Sequence, residues 1–387
     1  MGNTELPSKD SADLYLVEAT DEETLAQSHA NSDEWKGALN LEQYLRREEH
    51  IANQELTKNG GMTTWMLVHQ PDPSGPRRVL CGCETIKKQA LAAKDGKLED
   101  VSCHAVCSVF CPAEFRGKGY AGRMMTELGK RLNKWQVDDK KPALFSVLYS
   151  DIGKKFYAAR DWHVFPSSEI SLPASPSAEQ LPAGVKLLKK EDLTEFCALD
   201  EKVLRKRLSK STGGYTVALI PDNRTLAWHH SREEFVAQEL YGKDPSIKGA
   251  VIGEPGQRIW MYWTRVWGNP TEKSPNTLHI LRLAFEDDTW SDYAAATLDG
   301  AVGLKGSPPV HGIAALFAVA QAEASAWDMK EILLWNPSSA ALAAAQQIHP
   351  QASVVHREEE SITSLRWYGS GSWEDVRWEA NEKYAWC

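Results

Sequence analysis

The stretch Val106–Arg123, which reads VCSVFCPAEFRGKGYAGR, decides the fold because it joins a strand to a helix through a glycine-rich turn. The strand pattern ends before Pro112, and a helical period follows the turn RGKGYAG at Arg116–Gly122. Glycines let successive backbone N–H groups point inward, and the start of the next helix adds a partial positive charge. The stretch therefore predicts a turn suited to a pyrophosphate. Its cationic partners would be Arg116, Lys118 and Arg123.

Two other interpretations of this turn stay open. Gly117-x-Gly119-x-x-Gly122 also matches a dinucleotide-binding fingerprint, and Asp138 or Asp139 follows at about 20 residues. In a dinucleotide-binding unit, the acidic residue lies at the end of the strand that follows the helix. Here Asp138 and Asp139 precede the strand that begins near Pro142, which disfavours this interpretation. The second alternative is a set of glycines that only shapes a turn.

The flanking segments predict an α/β fold with a mixed, mostly antiparallel sheet. A strand at Leu14–Glu18 precedes two helices, which begin after Thr20 and Asn40. Three strand-like runs then form a meander. After the turn come a helix, a nearly continuous apolar strand (PALFSVLYS), a short helix (IGKKFYAAR) and a strand from Trp162. The apolar face of the first of these helices comprises Ala121, Met124, Met125, Leu128 and Leu132.

The composition of residues 173–184 indicates a linker, because Pro, Ser and Ala dominate and no apolar period is present. We therefore predict domains at 1–172 and 185–387. The second domain has strands around YTVALIP, RIWMYWTRVW and LHILRLAF. Its segment 332–349 repeats the order of segment 144–162, namely strand, polar turn and short helix, so the halves read as divergent copies of one fold.

Charge and apolar runs exclude several classes of protein. The net charge of −9 argues against phosphate-backbone binding as the main role, and no run of about 18 apolar residues predicts a membrane span. The first residues carry neither a basic nor an apolar signal region, so we expect a cytoplasmic protein. Seven cysteines without zinc-ligand spacing are expected to be reduced thiols, with no metal site. Nothing in the sequence predicts the oligomeric state.

Three motifs resemble those of known acyltransferases. RGKGYA after a strand and a proline resembles the acetyl-CoA motif of the GNAT superfamily, and SDIGKKFYAARDW resembles its second motif. With the second-domain stretch ALIPDNRTLAWHHSREEF, the chain resembles the fungal and yeast lysine N6-acetyltransferase family. The resemblance implies a GNAT fold followed by a second, degenerate GNAT-like domain that closes the substrate pocket.

The same resemblance implies acetyl-CoA as the cofactor. A strand that separates from its neighbour after Cys107 would offer backbone groups near Val109 and Phe110, one of them as an oxyanion donor, unless they simply bond to that neighbour. Tyr157 matches the position whose phenol protonates the departing thiolate; the alternative is a half-buried packing role. The implied cofactor-binding residues are Val109, Phe110, Arg116, Gly117, Lys118, Gly119, Tyr120, Ala121, Gly122, Asp151, Gly153 and Phe156.

A base is needed because the acceptor amine must be neutral to attack. A lysine amine has a pKa of about 10.4, which is roughly 3.4 units above pH 7, so its deprotonation at pH 7 costs about 4.6 kcal/mol. Glu99, Asp100 and His104 are candidates at the start of the long strand, although each also fits a surface or turn position. Cys387 is another, because in some two-domain relatives the terminal carboxylate is the base; an ordinary buried end is the alternative. His229 and His230 fit structural or rim positions.

Three functions remain open. The first is N-acetyl transfer from acetyl-CoA to the side-chain amine of free L-lysine, by direct attack in a ternary complex. The second keeps this chemistry with another small primary amine, such as a polyamine, an amino sugar or a xenobiotic. The third is a non-catalytic sensor that binds acyl-CoA.

Overall fold

A computed structural model of the chain describes residues 6–137, 141–176, 181–272, 274–287 and 296–387. The elements of the first half are β1 Leu14–Glu18, α1 Asp21–Trp35, α2 Leu41–Ala52, β2 Met62–His69, β3 Arg78–Lys94, β4 Lys97–Phe110, α3 Tyr120–Leu132, β5 Ala143–Ser150, α4 Lys155–Ala158, β6 His163–Val164 and β7 Ser168–Pro173. The second half contains β8 Lys186–Leu188, α5 Leu193–Leu208, β9 Thr216–Leu219, α6 Asn223–Tyr241, β10 Gly249–Ile252, β11 Ile259–Val266, β12 Thr277–Phe285, α7 Leu298–Leu304, α8 Pro308–Ala326, β13 Glu331–Trp335, α9 Ser339–Ile348, β14 Val355–His356, β15 Ile362–Trp367 and β16 Arg377–Trp378.

The predicted helix starts are confirmed by their caps. Thr20 and Glu23 form a reciprocal capping box at α1, and Asn40 and Gln43 form one at α2, so the orphan backbone donors of each first turn are satisfied. The helix after the glycine turn, α3, begins next to Gly119. Its buried face includes Met124, Met125, Leu128 and Leu132, as the apolar period predicts.

The first sheet contains the predicted meander. In the described chain its strands run in the order β1-β2-β3-β4-β5-β15-β6, and β9 pairs with the far end of β3. The long hairpin of β3 and β4 turns at Asp95 and Gly96, both of which have positive φ. Both strands are longer than the sequence pattern suggests. As a result, Glu99 and Asp100 lie close to the hairpin turn and not beside an acceptor site.

The second sheet has the order β14-β7-β13-β12-β11-β10-β8. Its parallel pair, β12 and β13, is bridged by α8, just as α3 bridges the parallel pair β4 and β5 in the first sheet. Most other pairings are antiparallel, so the predicted mixed, mostly antiparallel α/β fold is confirmed. The predicted repeat of strand, turn and helix corresponds to β5 with α4 and β13 with α9.

The two halves exchange strands. The neighbour of β5 in the first sheet is β15, from the second half, with Leu365 opposite Val147. The neighbour of β13 in the second sheet is β7, from the first half, with Ile170 opposite Leu334. The domain boundaries at 1–172 and 185–387 stay a prediction, but the sheets cross them, because strand pairing depends on space and not on chain order.

Residues 384–386 are bound to the first sheet. The buried Lys88 ammonium on β3 donates to the carbonyl oxygens of Ala385, at 2.7 Å, and Trp386, at 3.2 Å. The hydroxyl of Tyr384 donates to the carbonyl oxygen of Leu219, at 2.7 Å. These contacts fix the segment against the first sheet. Across the described ranges, no helix has the length and apolarity required for a membrane span.

We expect the exchange to make the halves unfold together. Leu365 on β15 is fully buried, so Leu365→Ala should lower the free energy of unfolding by about 2–5 kcal/mol. Urea unfolding followed by far-UV circular dichroism and tryptophan fluorescence should give coincident single transitions. The control Val355→Ala, at a side chain that is 54% exposed, should change stability by less than about 0.5 kcal/mol. Two separate transitions would contradict the interlocked arrangement.

Candidate active site

The strand β4 separates from β5 at a bulge. The two strands are paired from Ser102 to Val106 of β4, and the pairing ends there, although β4 continues to Phe110. On its other side, β4 has one extra residue relative to β3, and Ser108 at this point has a φ of 51°. The separation expected after Cys107 is therefore present. It turns the backbone of residues 107–110 toward a cavity.

The cavity has a volume of 1540 Å³ and lies between the two sheets. The separated end of β4 forms one wall, with the ends of β5 and α4. Residues of α2, α6, β11 and β12 form the opposite side, and the segment Lys383–Cys387 contributes part of the lining. The cavity thus extends from the glycine turn into the second half of the chain.

The glycine turn has the backbone geometry that the sequence predicts. Gly117 and Gly119 have φ values of 75° and 85°, a region that favours glycine, and Gly119 is the N-cap of α3. Arg116 lies at the mouth of the cavity, where its guanidinium donates to the carbonyl oxygen of Cys111 at 2.8 Å. The Tyr120 ring is buried and its hydroxyl donates to Pro7, so only the backbone of Tyr120 is oriented toward a ligand at the helix start.

The structure brings about half of the predicted site residues to the cavity. The predicted residues that line it are Val109, Phe110, Arg116, Ala121, Asp151, Phe156, Tyr157 and Cys387. Those outside its lining are Gly117, Lys118, Gly119, Tyr120, Gly122, Gly153, Glu99 and His104. The dinucleotide alternative rested on Asp138 and Asp139, which lie outside the described residues.

Tyr157 on α4 is the buried phenol of the cavity wall. Its side chain is 7% exposed, and its ring meets that of Phe156 edge to face at a centroid distance of 4.9 Å. Burial, followed by the nearby Cys83 and Asp151, raises the pKa of Tyr157 well above its usual value. The phenol therefore keeps its proton at neutral pH and can donate it.

Asp151 and Gly153 fix the segment between β5 and α4. Asp151 does not cap α4, which begins after Lys154; its carboxylate instead accepts from the backbone N–H of Ser361 at 2.9 Å. The N–H of Gly153 donates to the carbonyl oxygen of Glu359 at 2.9 Å. Both contacts join this segment to the residues that precede β15.

The candidate bases Glu99 and His104 need correction. Glu99 is half exposed near the hairpin turn, where it pairs with Lys97 at 3.0 Å. His104 is buried against Gln136, and burial lowers the pKa of its imidazole to about 4. Neither lines the cavity, because the Asp95–Gly96 hairpin extends β4 away from it. Asp100, the third candidate, forms an ion pair with Arg205 at 2.6 Å.

Cys387 lies in the cavity wall beside Cys107. A hydrogen bond between the two thiols lowers the pKa of Cys387 and raises that of Cys107. A base role for its carboxylate stays a prediction. The Nε2 atom of His229 lies 2.9 Å from the carbonyl oxygen of Tyr384, and that of His230 lies 3.0 Å from the carbonyl oxygen of Trp263. His229 also lines the cavity, so a structural or rim position for these residues stays a prediction. Among the described residues, no cluster of three His, Cys, Asp or Glu side chains is arranged to hold a metal ion.

Glu84 on β3 is the functional candidate that the sequence analysis missed. It lies opposite Cys107 in the sheet, lines the cavity and hydrogen-bonds to Ser108 at the bulge. Burial, with Glu48 nearby, raises the pKa of the Glu84 carboxyl to about 7. The available signal was a single acidic residue in the otherwise apolar or small run LCGCET. A strand pattern alone cannot tell whether such a residue faces a cavity or solvent.

Comparison with known proteins identifies the family. Residues 169–387, more than half of the chain, match the family model described as the LYC1 GNAT-like C-terminal domain. A lysine acetyltransferase of Yarrowia lipolytica is 26% identical, over 60% of this chain and 68% of that protein. An uncharacterized protein of Saccharomyces cerevisiae is 23% identical, over 98% of this chain and 99% of that protein.

A solved structure shares the fold. It is Saccharomyces cerevisiae N-myristoyltransferase with bound myristoyl-CoA and inhibitors, which matches with a TM-score of 0.50 at 11% identity and covers 94% of this chain and 81% of that chain. This likeness shows that the shared fold extends over both halves of the chain. With the family model over the second half and the glycine turn of the first, the chain therefore belongs to the GNAT N-acetyltransferases that carry the LYC1 GNAT-like C-terminal domain.

Proposed function

We propose that the protein transfers the acetyl group of acetyl-CoA to the side-chain amine of a small molecule, with free L-lysine as the leading acceptor. The observation that carries this proposal is the shape of the cavity. It extends without interruption from the bulge of β4 to α6 and β12 of the second half, which leaves room for donor and acceptor together. The name of the Yarrowia relative supports lysine as the acceptor.

The chain's own residues fit an acyl-CoA donor. The Gly117–Gly119 turn and the start of α3 present backbone N–H groups and a partial positive charge to a pyrophosphate, and Arg116 adds a cation. Beyond the bulge, the backbone near Val109 and Phe110 is free of β5 and can bind an extended arm. One N–H there would stabilise negative charge that develops on the acyl oxygen. When bound, acetyl-CoA supplies the thioester whose acetyl group is transferred.

Two side chains would move the protons. Glu84 takes a proton from the acceptor ammonium, so that the neutral amine attacks and the new C–N bond forms as the C–S bond breaks. Tyr157 gives its proton to the departing sulfur, and the phenolate that remains takes the second proton of the attacking nitrogen as the amide forms. A carboxyl with a pKa of about 7 and a phenol that stays protonated are matched to these tasks near neutral pH. We therefore propose Glu84 as the base in place of Glu99 and His104.

The first test is an acceptor panel. Purified protein with acetyl-CoA should release free CoA thiol when L-lysine is added, and far less with polyamines, amino sugars or a lysine-containing peptide. CoA release with another amine but not with L-lysine would support acetyl transfer and would exclude lysine as the acceptor. Binding of CoA without release for any amine would favour the sensor function.

Removal of the phenol should separate catalysis from binding. Tyr157→Phe should lower kcat about 100-fold or more, because the departing thiolate loses its proton donor. The dissociation constant for CoA, measured by calorimetry, should stay unchanged. Tyr15→Phe is the control, because Tyr15 is 43% exposed and far from the cavity lining. Equal kcat for wild type and Tyr157→Phe would exclude the acid role.

The base assignment predicts a pH dependence. In the wild type, kcat/KM should rise with pH through about 7, because Glu84 accepts a proton only when ionised, and a raised pKa delays its ionisation. Glu84→Gln should lower kcat/KM about 100-fold at pH 8 and remove the step near pH 7. Glu99→Gln should preserve both the rate and the profile. A profile that is unchanged in Glu84→Gln would show that another group is the base.

A further inference from the structure

Two cations in the lining of the cavity, the partly exposed Arg232 and the buried Lys383, form no ion pair within the described residues. Elsewhere in the second half of the chain, buried cations are paired: Lys248 lies 2.8 Å from Glu233, Arg265 also lies 2.8 Å from Glu233, and Arg282 lies 2.9 Å from Asp200. Such pairing is the usual way to offset the cost of removing a charge from water. An unpaired cation on a cavity wall therefore indicates a partner that comes from outside the chain.

Arg232 on α6 is the first such cation. Its guanidinium lines the cavity, with its central carbon 5.8 Å from the ring centroid of Trp386. In the part of the chain that the structure describes, it forms neither a hydrogen bond nor an ion pair through its side chain. Burial and the nearby Arg47 lower its pKa to about 9, so it is still charged at pH 7.

Lys383 is the second, and it lies against the same indole, that of Trp386. Its ammonium lies 4.0 Å from the ring centroid of Trp386 and 4.4 Å from that of Trp335, and its side chain is largely buried. No carboxylate among the described residues forms an ion pair with it. Burial lowers the pKa of this amine to about 7, and the charges of Arg357 and Arg232 contribute in the same direction. The amine is therefore about half protonated at pH 7, and an anion bound beside it would raise its pKa and complete its positive charge. The two cations therefore act on one region of the cavity.

His279 on β12 provides an independent sign of a missing partner. Its Nδ1 atom is buried and has no hydrogen-bond partner in the described chain, and the residue lines the cavity. Arg232 and Lys383 both lower the pKa of its imidazole, after burial itself. A neutral imidazole with an unpaired nitrogen and two unpaired cations is a set of donors that suits an anion.

This region lies within reach of the proposed base. Trp386, beside which both cations lie, packs in one apolar cluster with Cys107, and Cys107 lies opposite Glu84 on the neighbouring strand. A small acceptor could thus have its anionic group at Arg232 and its reacting amine at Glu84. We propose that Arg232 and Lys383 bind the carboxylate of the acceptor, with His279 beside them, so that the acceptor class is a free diamino acid and not a polyamine or an amino sugar.

The placement of the acceptor's amine at Glu84 rests on the proposed function. The binding of its carboxylate by Arg232 and Lys383 does not. The kinetic test compares L-lysine with cadaverine, which lacks the carboxylate, and with L-lysinamide, which replaces it by a neutral amide. Wild type should favour L-lysine over both by about 10-fold or more in kcat/KM, mainly through KM. Arg232→Gln should lower kcat/KM for L-lysine by about 10- to 100-fold and leave cadaverine within about 2-fold. Lys383→Gln should show the same pattern to a smaller extent.

The controls separate loss of recognition from loss of structure. Arg224→Gln removes a guanidinium from the first turn of the same helix, where it pairs with Asp222 outside the cavity lining, and should leave all three acceptors unaffected. Turnover of cadaverine by Arg232→Gln reports that the variant is folded. Equal use of cadaverine and L-lysine by the wild type would overturn the proposal, as would an equal loss for both acceptors in Arg232→Gln.

A binding measurement keeps the two proposals distinguishable. If the wild type acetylates no amine, the proposed function fails, and thermal unfolding with added ligand still tests the carboxylate site. L-lysine should then raise the Tm of wild type and of Arg224→Gln but not that of Arg232→Gln, and cadaverine should raise none of them. A Tm increase by L-lysine that persists in Arg232→Gln would place the carboxylate elsewhere.

Discussion

The exchange of β7 and β15 is the constraint on which the rest of this structure depends. Each sheet has its own parallel pair bridged by a helix, yet each lacks its next strand until the other half provides it. The sheets are therefore held in one relative arrangement by backbone hydrogen bonds as well as by side-chain packing. A cavity that is formed between two sheets needs such a connection, because its walls otherwise move relative to each other.

The bulge at Ser108 exposes backbone groups of β4 to the cavity between the two sheets. One extra residue in β4 separates it from β5 and frees a short stretch of backbone, and the same irregularity places Glu84 beside the opening. The glycine turn and the start of α3 lie on the same side of the sheet end. In the proposed function, backbone groups would supply much of the acyl-CoA site, and strand pairing fixes the position of those on β4 before any ligand binds.

Burial sets the properties of the side chains around the cavity. The same loss of solvent raises the pKa of Glu84 and Tyr157 and lowers that of Lys383, because it penalises the charged form in each case. The outcome differs by residue type. The Glu84 carboxyl has a pKa near neutrality, the Tyr157 phenol keeps its proton at neutral pH, and the Lys383 amine is close to losing its proton. Neighbouring charges, such as Glu48 beside Glu84, then adjust each group.

Features that depend on local chemistry could be predicted from the amino-acid sequence. The helix caps at Thr20 and Asn40, the glycine turn, the meander and the apolar face of α3 follow from short-range patterns, and the structure has them all. Only the tertiary structure decided the strand exchange, because a strand pattern does not name its partner. It also decided the base candidates: Glu84 and Glu99 both lie on the same hairpin, but only one of them reaches the cavity. Glu84, Arg232 and Lys383 line one cavity although they are distant in the chain, because folding brings their strands and helices together, and their spacing in the sequence does not reveal this.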